Sequence, residues 1–488
     1  MGKVIRQSLL STAITYLGVT LGAFNTLWLI PKVMSTGEIG LYRVVISMAI
    51  LLVPFAQMGA SQGSIKFFPE YKSQEDRNRF FTGLLLFSFC SYLLFISIFS
   101  ILEQPISSFF IERSPEVSQY FNLVLFLVLM MVIFGILESY SRNMLEIAIP
   151  NFLKEVQIRI INTLLITLFF LGYVGFEQLL FSLVWNYMAA ITFLTLSLIY
   201  RYKLRLRFDL KSLKIQSFIK YALYSVLGAG GAVIVMQIDS IMITGLLGLD
   251  QNGVYTTAFY IAVMIEIPRR AISQLSTPLI SKAFHEGLKT EVDHIYKRSS
   301  INLLLAGAFI YLLIIVNLDN IFYLIPDWQR FEAGKIVVII VGAAKLIDIG
   351  SGVNTEIIIM SKYYRFNIIT ILFLSILTIL SNLWLIPDYG IAGAAMATTL
   401  SLILFNLVKF LFIWFKLKIQ PFTLKTGMVL ILLLLLVMAY PYLPQVDGVL
   451  YEIILHSLLI SMVFIIGNYL LKTSYEMNSI IDKFIKKN

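Results

Sequence analysis

Apolar runs long enough to cross a bilayer recur along the whole chain, separated by short polar stretches. About 20 residues, each rising 1.5 Å, span the hydrocarbon core. The pattern therefore predicts an all-α, polytopic membrane protein with fourteen transmembrane helices and no soluble domain. The predicted spans are residues 8–30, 41–64, 80–102, 117–140, 157–175, 177–200, 219–245, 254–281, 299–316, 334–359, 365–386, 391–415, 425–441 and 449–471. An even number of crossings puts both termini on one side of the membrane.

The distribution of basic residues predicts which side that is. Of the 38 lysines and arginines, 29 lie at the N-terminus, in the loops after even-numbered helices or in the tail, and five lie in the loops after odd-numbered helices. Basic residues near helix ends are retained in the cytoplasm, so we expect cytoplasmic termini in a bacterial inner membrane. The first apolar run continues past Asn25 without a small-residue cleavage site, which favours a retained helix over a signal peptide.

Short motifs recur at an offset of about 214 residues. This repeat predicts two six-helix lobes, at 1–200 and 219–415, joined by a basic cytoplasmic linker at 201–218. Helices 13 and 14 and an amphipathic tail follow at 416–488. Because six is even, both lobes enter from the same side, which makes the repeat parallel, about an axis along the membrane normal. The matched positions are Gly40-Leu41-Tyr42 with Gly253-Val254-Tyr255, Pro54 with Pro268, Tyr173-Val174-Gly175 with Asp388-Tyr389-Gly390, Asn25 with Asp239, and, at a slightly shorter offset, Glu138 and Glu146 with Asp348 and Glu356.

Composition narrows the class of protein further. Hydrophobic residues make up 58% of the 488 and charged residues 14%, which is typical of a membrane protein. The single cysteine, Cys90, and three scattered histidines predict neither a disulfide framework nor a metal site. No phosphate-binding loop of the nucleotide-hydrolysing type is present.

Two segments, 238–255 and 361–403, resemble bacterial Wzx-type polysaccharide flippases, members of the multidrug/oligosaccharidyl-lipid/polysaccharide exporter superfamily with a MATE-like fold. The stretch Pro387–Ala395, which follows a helix that carries an asparagine, is the most specific part of the likeness. The resemblance implies two lobes that alternately open a central cavity to either side of the membrane. It implies a cargo of undecaprenyl-diphosphate-linked oligosaccharide, the repeat unit of O-antigen, capsule or exopolysaccharide, moved from the cytoplasmic to the periplasmic leaflet. A polysaccharide polymerase and a chain-length regulator are the partners it suggests.

Two arginines near the centre of the predicted span 254–281 are the first candidates for binding this cargo. Arg269 and Arg270 lie roughly 22 Å from the outer end of the helix by helical rise, too deep for ordinary snorkelling. Guanidinium groups present a planar fork of donors that suits phosphate oxygens. Alternatively, Glu266, one turn earlier, pairs with them on the same helix face.

Two lysines are further candidates for binding substrate. Lys345 is three residues from Asp348, so the two side chains either form a pair on one helix face or line the cavity. Lys409 lies only about 9 Å from the inner end of its span by helical rise, and it can either snorkel to the headgroups or reach the substrate.

Acidic residues within the spans are candidates for ion coupling. Asp239 has no basic neighbour on its own helix turn and can take up a proton or a cation; the alternative is a structural acid that faces Asn25. Glu266 and Asp348 are the other candidates. We expect coupling to a proton or sodium gradient and no other cofactor.

Polar and proline positions mark the expected cavity and its hinges. Asn25, Gln57 and Gln274 are expected to face water between the lobes. Pro54 and Pro268 lie at matching depths of the repeat and free backbone carbonyls, so we expect the helices to bend there.

Two segments are expected to lie along the membrane surface. Residues 201–220 carry seven positive charges, which favour contact with an anionic inner leaflet. The tail 475–487 places Ile480, Ile481, Phe484 and Ile485 on one helical face beside lysines. Neither segment requires a nucleic acid.

Three other functions remain open at this point. A lipid II flippase of cell-wall synthesis shares both the helix count and a cationic cavity. A drug or cation antiporter of the same fold is expected to have an acidic or apolar cavity. A membrane polysaccharide polymerase or ligase is the enzyme alternative. Such an enzyme is expected to carry a long outer loop with acid, base or phosphate-binding side chains, whereas the longest outer loop here, about 317–333, contains no histidine.

Overall fold

A computed structural model describes residues 2–209 and 215–485, and no strand is found in these ranges. The prediction of an all-α membrane protein is confirmed. By its internal contacts the chain forms two compact units, Met1–Gly253 and Val254–Asn488. The lobe boundaries inferred from the repeat stay a prediction, because compactness does not define a duplicated unit. Residues 210–214 of the predicted basic linker and 486–488 of the tail lie outside the described residues, as do the side chains of Phe484 and Ile485.

Eight main helices are found in the first unit. They are α1 (Gly2–Phe24), α2 (Thr36–Gln57), α3 (Ala60–Phe67), α4 (Gln74–Ile111), α5 (Phe121–Asn143), α6 (Ile158–Phe170), α7 (Phe176–Tyr202) and α8 (Ile215–Leu247). Helix α2 is central, because it packs against α4, α5 and α8. It begins at Ser35, which forms a capping box with Glu38 and so satisfies the free backbone amides of the first turn. Its fully buried face carries Ile39, Val44, Val45 and Ala49.

A further helix crosses the division between the units, and eight other main helices follow it in the described part of the chain. They are α9 (Leu249–Val263), α10 (Ile267–His285), α11 (Lys289–Val316), α12 (Lys335–Gly350), α13 (Asn354–Met360), α14 (Tyr364–Leu417), α15 (Leu424–Ala439), α16 (Val449–Leu470) and α17 (Tyr475–Ile485). A hydrophobic core joins α11 to α12, α15 and α16 in the second unit. Its buried members are all aliphatic except Phe464, as expected where helix faces must pack without polar groups.

Helix α14 is two helices that meet at Gly390. Its 54 residues would extend about 80 Å if straight, far more than the roughly 30 Å hydrocarbon core. Gly390 has φ 59° and ψ −140°, outside the helical region, so the chain turns there and residues 364–389 and 391–417 form separate helices. Only glycine adopts such a backbone conformation at low cost.

Among the described residues, ten helices are long and apolar enough to cross a membrane. A bent pair, Trp328–Gly350 with Asn354–Met360, would make an eleventh, with an angle of 43° between its parts. The predicted span 157–175 instead corresponds to α6, which follows a π-helix at Leu153–Gln157. The predicted span 254–281 is interrupted by a 3₁₀ turn at Met264–Glu266. The exact count of fourteen therefore stays a prediction.

The starts of α2 and α9 pack closely through two glycines. A Cβ atom on Gly40 would lie 1.9 Å from the carbonyl oxygen of Leu249, and one on Gly253 would lie 2.1 Å from the carbonyl oxygen of Thr36. The Asn252 amide donates to the Gly40 carbonyl at 3.0 Å. Only residues without a side chain permit this approach.

Candidate functional site

Two pairs of opposite charge join α12 to the chain around the start of α10. Arg269 Nη1 lies 2.5 Å from Asp348 Oδ2, and Lys345 Nζ lies 3.1 Å from Glu266 Oε1. Both pairs are separated by 79 residues in the sequence, so the two segments run side by side in the same direction. The sequence offered two pairs within single helix faces as alternatives, Glu266 with Arg269 and Lys345 with Asp348. These alternatives are wrong, because each of the four side chains forms its ion pair with the neighbouring segment.

A hydrogen-bond network extends from Asp348 away from the arginine. The Asn406 amide donates to Asp348 Oδ1 at 2.8 Å, and the Asn354 amide donates to Asn406 Oδ1 at 2.9 Å. Both carboxylate oxygens of Asp348 are thereby bonded, as a charge buried away from water requires. Ser273 donates to Glu356 on the α13 side of the same region.

Lys409 lies inside this region and does not snorkel. Its side chain is only 1% exposed. The ammonium donates to Thr355 Oγ1 at 2.7 Å and lies 3.6 Å from the ring centre of Phe405, a favourable cation–π contact. The structure therefore contradicts the alternative in which Lys409 reaches the headgroups. Together with the two pairs and Glu356, the region holds three basic and three acidic side chains, whose formal charges sum to zero.

Arg270 differs from Arg269 in its surroundings. Its side chain is exposed, and no ion pair of Arg270 is found within the described ranges. Gln274 and Pro278 follow at intervals of four residues and are exposed on the same side of α10, as expected for a single helix face. Pro268 occupies the second position of α10, where its missing N–H removes no helical bond.

Asn25 and Asp239 are both buried in the first unit. The Asn25 amide donates to the Arg159 carbonyl at 3.3 Å and its oxygen accepts from the Thr163 hydroxyl at 2.9 Å, so its recorded bonds connect the segment directly after α1 to α6. Asn25 opens a π-helical turn, Asn25–Leu29. Asp239 is 5% exposed on α8. The ion-coupling role of Asp239 stays a prediction.

A cavity of about 390 Å³ lies within the first unit. Pro54 and Gln57 from α2 line it, together with residues of α3, α5, α7 and α8. Three charged side chains also line it: Glu138, Arg142 and Lys154. The sequence alone assigned no role to Glu138. Arg142 and Lys154 contributed only as two of the 29 basic residues that predict the orientation of the chain in the membrane. The four-residue spacing of Glu138 and Arg142 on one helix was the available signal that they pair.

Groups of three or more histidine, cysteine, aspartate or glutamate side chains placed to hold a metal ion are not found among the described residues. Cys90 is a free thiol on the exposed side of α4.

The helical architecture defines a multi-pass membrane protein. The protein aligns with the structure of the lipid II flippase MurJ in an inward-closed conformation, with a TM-score of 0.74 and 15% identity over 95% of this chain and 98% of that one. It also aligns with an inward-facing multidrug resistance MATE transporter, with a TM-score of 0.65 and 15% identity over 85% and 98% of the two chains. The expected MATE-like fold is thereby confirmed.

The sequence match is more specific than the fold. The model of the polysaccharide biosynthesis protein family matches residues 5–284, more than half of the chain, and the chain belongs to this family. An uncharacterized membrane protein of Methanocaldococcus jannaschii, MJ1068, is 24% identical over 502 aligned positions, which cover 94% of this chain and 93% of that protein.

Proposed function

We propose that this protein is a flippase that moves an undecaprenyl-diphosphate-linked oligosaccharide from the cytoplasmic to the periplasmic leaflet by alternating access. Membership of the polysaccharide biosynthesis protein family supports a cargo from polysaccharide assembly. The structures that it resembles are those of transporters, which supports transport without an enzymatic step. The basic residues support cytoplasmic termini.

The observation that carries the proposal is the exposure of Arg270 in the middle of the predicted span 254–281. A charged side chain facing lipid at this depth costs at least about 2.5–3.5 kcal/mol. The exposed face shared with Gln274 therefore borders a water-filled path, where a guanidinium is free to bind diphosphate oxygens. Arg269 is neutralised by Asp348, and we assign it to holding α10 against α12. Lys345 is neutralised by Glu266, and Lys409 is buried, so Arg270 is the leading candidate among the four basic residues.

The test uses proteoliposomes that contain the purified full-length protein and undecaprenyl-diphosphate-linked oligosaccharide. The fraction of cargo cleaved by an external glycosidase reports translocation. Arg270→Ala should slow translocation roughly tenfold, the expected loss of a charge-assisted contact, and Arg270→Lys should restore part of the rate because it keeps the charge without the fork. Arg113→Ala, which removes an exposed arginine outside the spans, is the matched control. A wild-type rate for Arg270→Ala would refute the role of Arg270.

A second cargo is favoured by one structural observation. The lipid II flippase aligns with 95% of this chain, whereas the MATE transporter aligns with 85%, so the flippase likeness extends over more of the chain. Vesicles that contain lipid II in place of the oligosaccharide lipid, assayed in parallel, discriminate the two cargoes. Faster movement of lipid II would replace the proposed cargo by a cell-wall precursor.

We further propose that Asp239 couples transport to a proton or sodium gradient. It is an acid buried on α8, and an ionisable side chain within a membrane span commonly takes part in proton or ion transport. Asp239→Asn should abolish stimulation by an imposed gradient while the protein remains folded, whereas Asp447→Asn, in an exposed loop, should not. Unchanged stimulation in Asp239→Asn would exclude it.

A further inference from the structure

The cavity of the first unit has one firmly built wall. The Gln57 amide donates to Ser61 Oγ at 2.6 Å, and the Ser61 hydroxyl donates to the Gly135 carbonyl at 3.0 Å. A Cβ atom on Gly135 would lie 3.1 Å from Gln57 Nε2, so glycine at this position lets the amide approach α5 closely. These contacts connect α2, α3 and α5 and fix the shape of the wall.

The charged end of the cavity has a surplus of positive charge. Glu138 lies 2.5 Å from Arg142 Nη2 and 3.8 Å from Lys154 Nζ. One carboxylate therefore serves two cations, and the group carries a net charge of +1. The carboxylate is largely buried, with 12% of its side chain exposed, whereas the side chains of Arg142 and Lys154 are 49% and 50% exposed.

The two cations retain hydrogen-bonding capacity for a ligand. Arginine has five N–H donors and lysine three. Within the described residues, Arg142 makes one recorded side-chain hydrogen bond, to Glu138, and Lys154 makes an ion pair too long for a good hydrogen bond. Lys154 lies on the π-helix Leu153–Gln157, an irregularity that is frequent at functional sites.

The rest of the lining indicates an amphiphilic ligand. Apolar side chains from several helices face the cavity, and its volume falls within the usual range for ligand sites, about 300–1,000 Å³. A small soluble anion would leave these surfaces without a partner. The apolar lining residues are Ile50, Val53, Pro54, Ile65, Met131, Phe134 and Val233.

We propose that this cavity is a binding site for the phosphate headgroup of a polyisoprenyl phosphate lipid, with Arg142 and Lys154 on the phosphate and the apolar wall on the first part of the chain. The assignment rests on the proposed function, because it makes the cavity a loading site for the cargo. The distribution of basic residues places Arg142 and Lys154 at the cytoplasmic side, where such cargo is picked up. Glu138 then has a defined role: it holds the two cations in place and limits their affinity for phosphate.

The test measures binding to the purified full-length protein in a phosphate-free maltoside detergent, by native mass spectrometry. The probes are undecaprenyl phosphate, undecaprenol, inorganic phosphate and phosphatidylglycerol. Arg142→Gln and Lys154→Gln should each weaken undecaprenyl phosphate binding roughly tenfold. Glu138→Gln should strengthen it severalfold, because it raises the net charge of the group from +1 to +2. Lys282→Gln, which removes a largely exposed charge in the second unit, should bind like the wild type.

The increase in affinity for Glu138→Gln separates a binding role from a structural one, since a variant that only damages the fold does not gain affinity. Weaker binding by Glu138→Gln, or unchanged binding by both cation variants, would overturn the site. Equal binding of undecaprenol would show that phosphate is not recognised, and equal binding of inorganic phosphate or phosphatidylglycerol would overturn the assignment to a polyisoprenyl lipid. Specific binding by a protein that fails to move cargo in proteoliposomes would refute the proposed function and leave the site intact.

Discussion

Glu266 and Arg269 lie within one helical turn of each other, yet they do not pair with each other. Glu266 bonds to Lys345 of α12, and Arg269 bonds to Asp348, three residues further along α12. Two adjacent ion pairs of opposite polarity hold the segments in one register, because a shift of either segment by one turn would put like charges side by side. The register also places Asp348 beside Asn406. The pairs therefore link three helical segments of the second unit.

The Arg269–Asp348 pair provides the first prediction. Asp348→Ala should lower the free energy of unfolding by about 3–5 kcal/mol, because it leaves Arg269 without its partner in a mostly buried position. Arg269→Met combined with Asp348→Leu should recover most of this loss. Thermal unfolding in detergent measures both effects. Lys282→Ala, which breaks the exposed Lys282–Glu286 pair, is the control and should have little effect. Equal stability of Asp348→Ala and the wild type would refute a structural role for the pair.

The turn within α14 provides the second prediction. Gly390→Ala should destabilise the protein by about 1–3 kcal/mol because of its backbone conformation alone, since nothing lies within 4 Å of the added Cβ atom. Gly427 in α15 also has open space around it but is helical. Gly427→Ala should therefore be neutral or stabilise by about 0.5–1 kcal/mol. The unfolding midpoint should fall for Gly390→Ala and should rise or stay unchanged for Gly427→Ala. An equal fall for both variants would contradict the assignment of the loss to the Gly390 backbone conformation.

The exposed face of α10 provides the third prediction. With Cys90 replaced by serine, Gln274→Cys should react rapidly with a membrane-impermeant thiol reagent. Position 274 is exposed, and it lies about one turn from Arg270 on the same face of α10. Gln57→Cys should react slowly in the same conformation, because Gln57 is buried. Leu435→Cys in α15 is the control for a position that contacts lipid. Leu435 is exposed among other exposed apolar side chains, so the cysteine should stay unreactive. Equal labelling of positions 274 and 435 would mean that the α10 face does not border water.

Membrane orientation is the subject of the fourth prediction. A reporter fused after Asn488 should read as cytoplasmic, and one inserted at Asp447 as periplasmic. The segment 250–253 would also be expected outside, but it belongs to α9 and packs on α2, so an insertion there would disturb the fold. Asp447 lies in an exposed loop between α15 and α16. A periplasmic tail would contradict both the orientation and an even number of crossings.

Hydropathy predicted the helical membrane fold correctly because each span must satisfy its own backbone hydrogen bonds in lipid. It could not predict the interruptions. The 3₁₀ turn at Met264–Glu266 and the π-helix at Leu153–Gln157 change the hydrogen-bond pattern without changing the apolar composition. The Gly390 turn, by contrast, coincides with a predicted helix boundary, since glycine after Asp388-Tyr389 interrupts the apolar run.

Side-chain partners were predicted less well than helices. The spacing of Lys345 and Asp348 allowed a pair on one helix. In the structure each of them bonds instead to a second segment packed alongside, Lys345 to Glu266 and Asp348 to Arg269. Lys409 likewise looked able to reach the headgroups, but Thr355 and Phe405 hold it inside. Distances along one helix can be calculated from the sequence, whereas the identity of the neighbouring helix depends on tertiary structure.

The close contact between Gly40 and Gly253 has a consequence for the origin of the chain. These glycines occupy matching positions of the predicted repeat, and each lies against the start of the helix that bears the other. Two copies of one segment that touch through the same residue are arranged as in an isologous dimer interface. An ancestral six-helix protein that paired with itself through this glycine would have made the contact before the two copies were joined in one gene. A bulky residue at that single position would have disrupted both sides of the ancestral dimer at once.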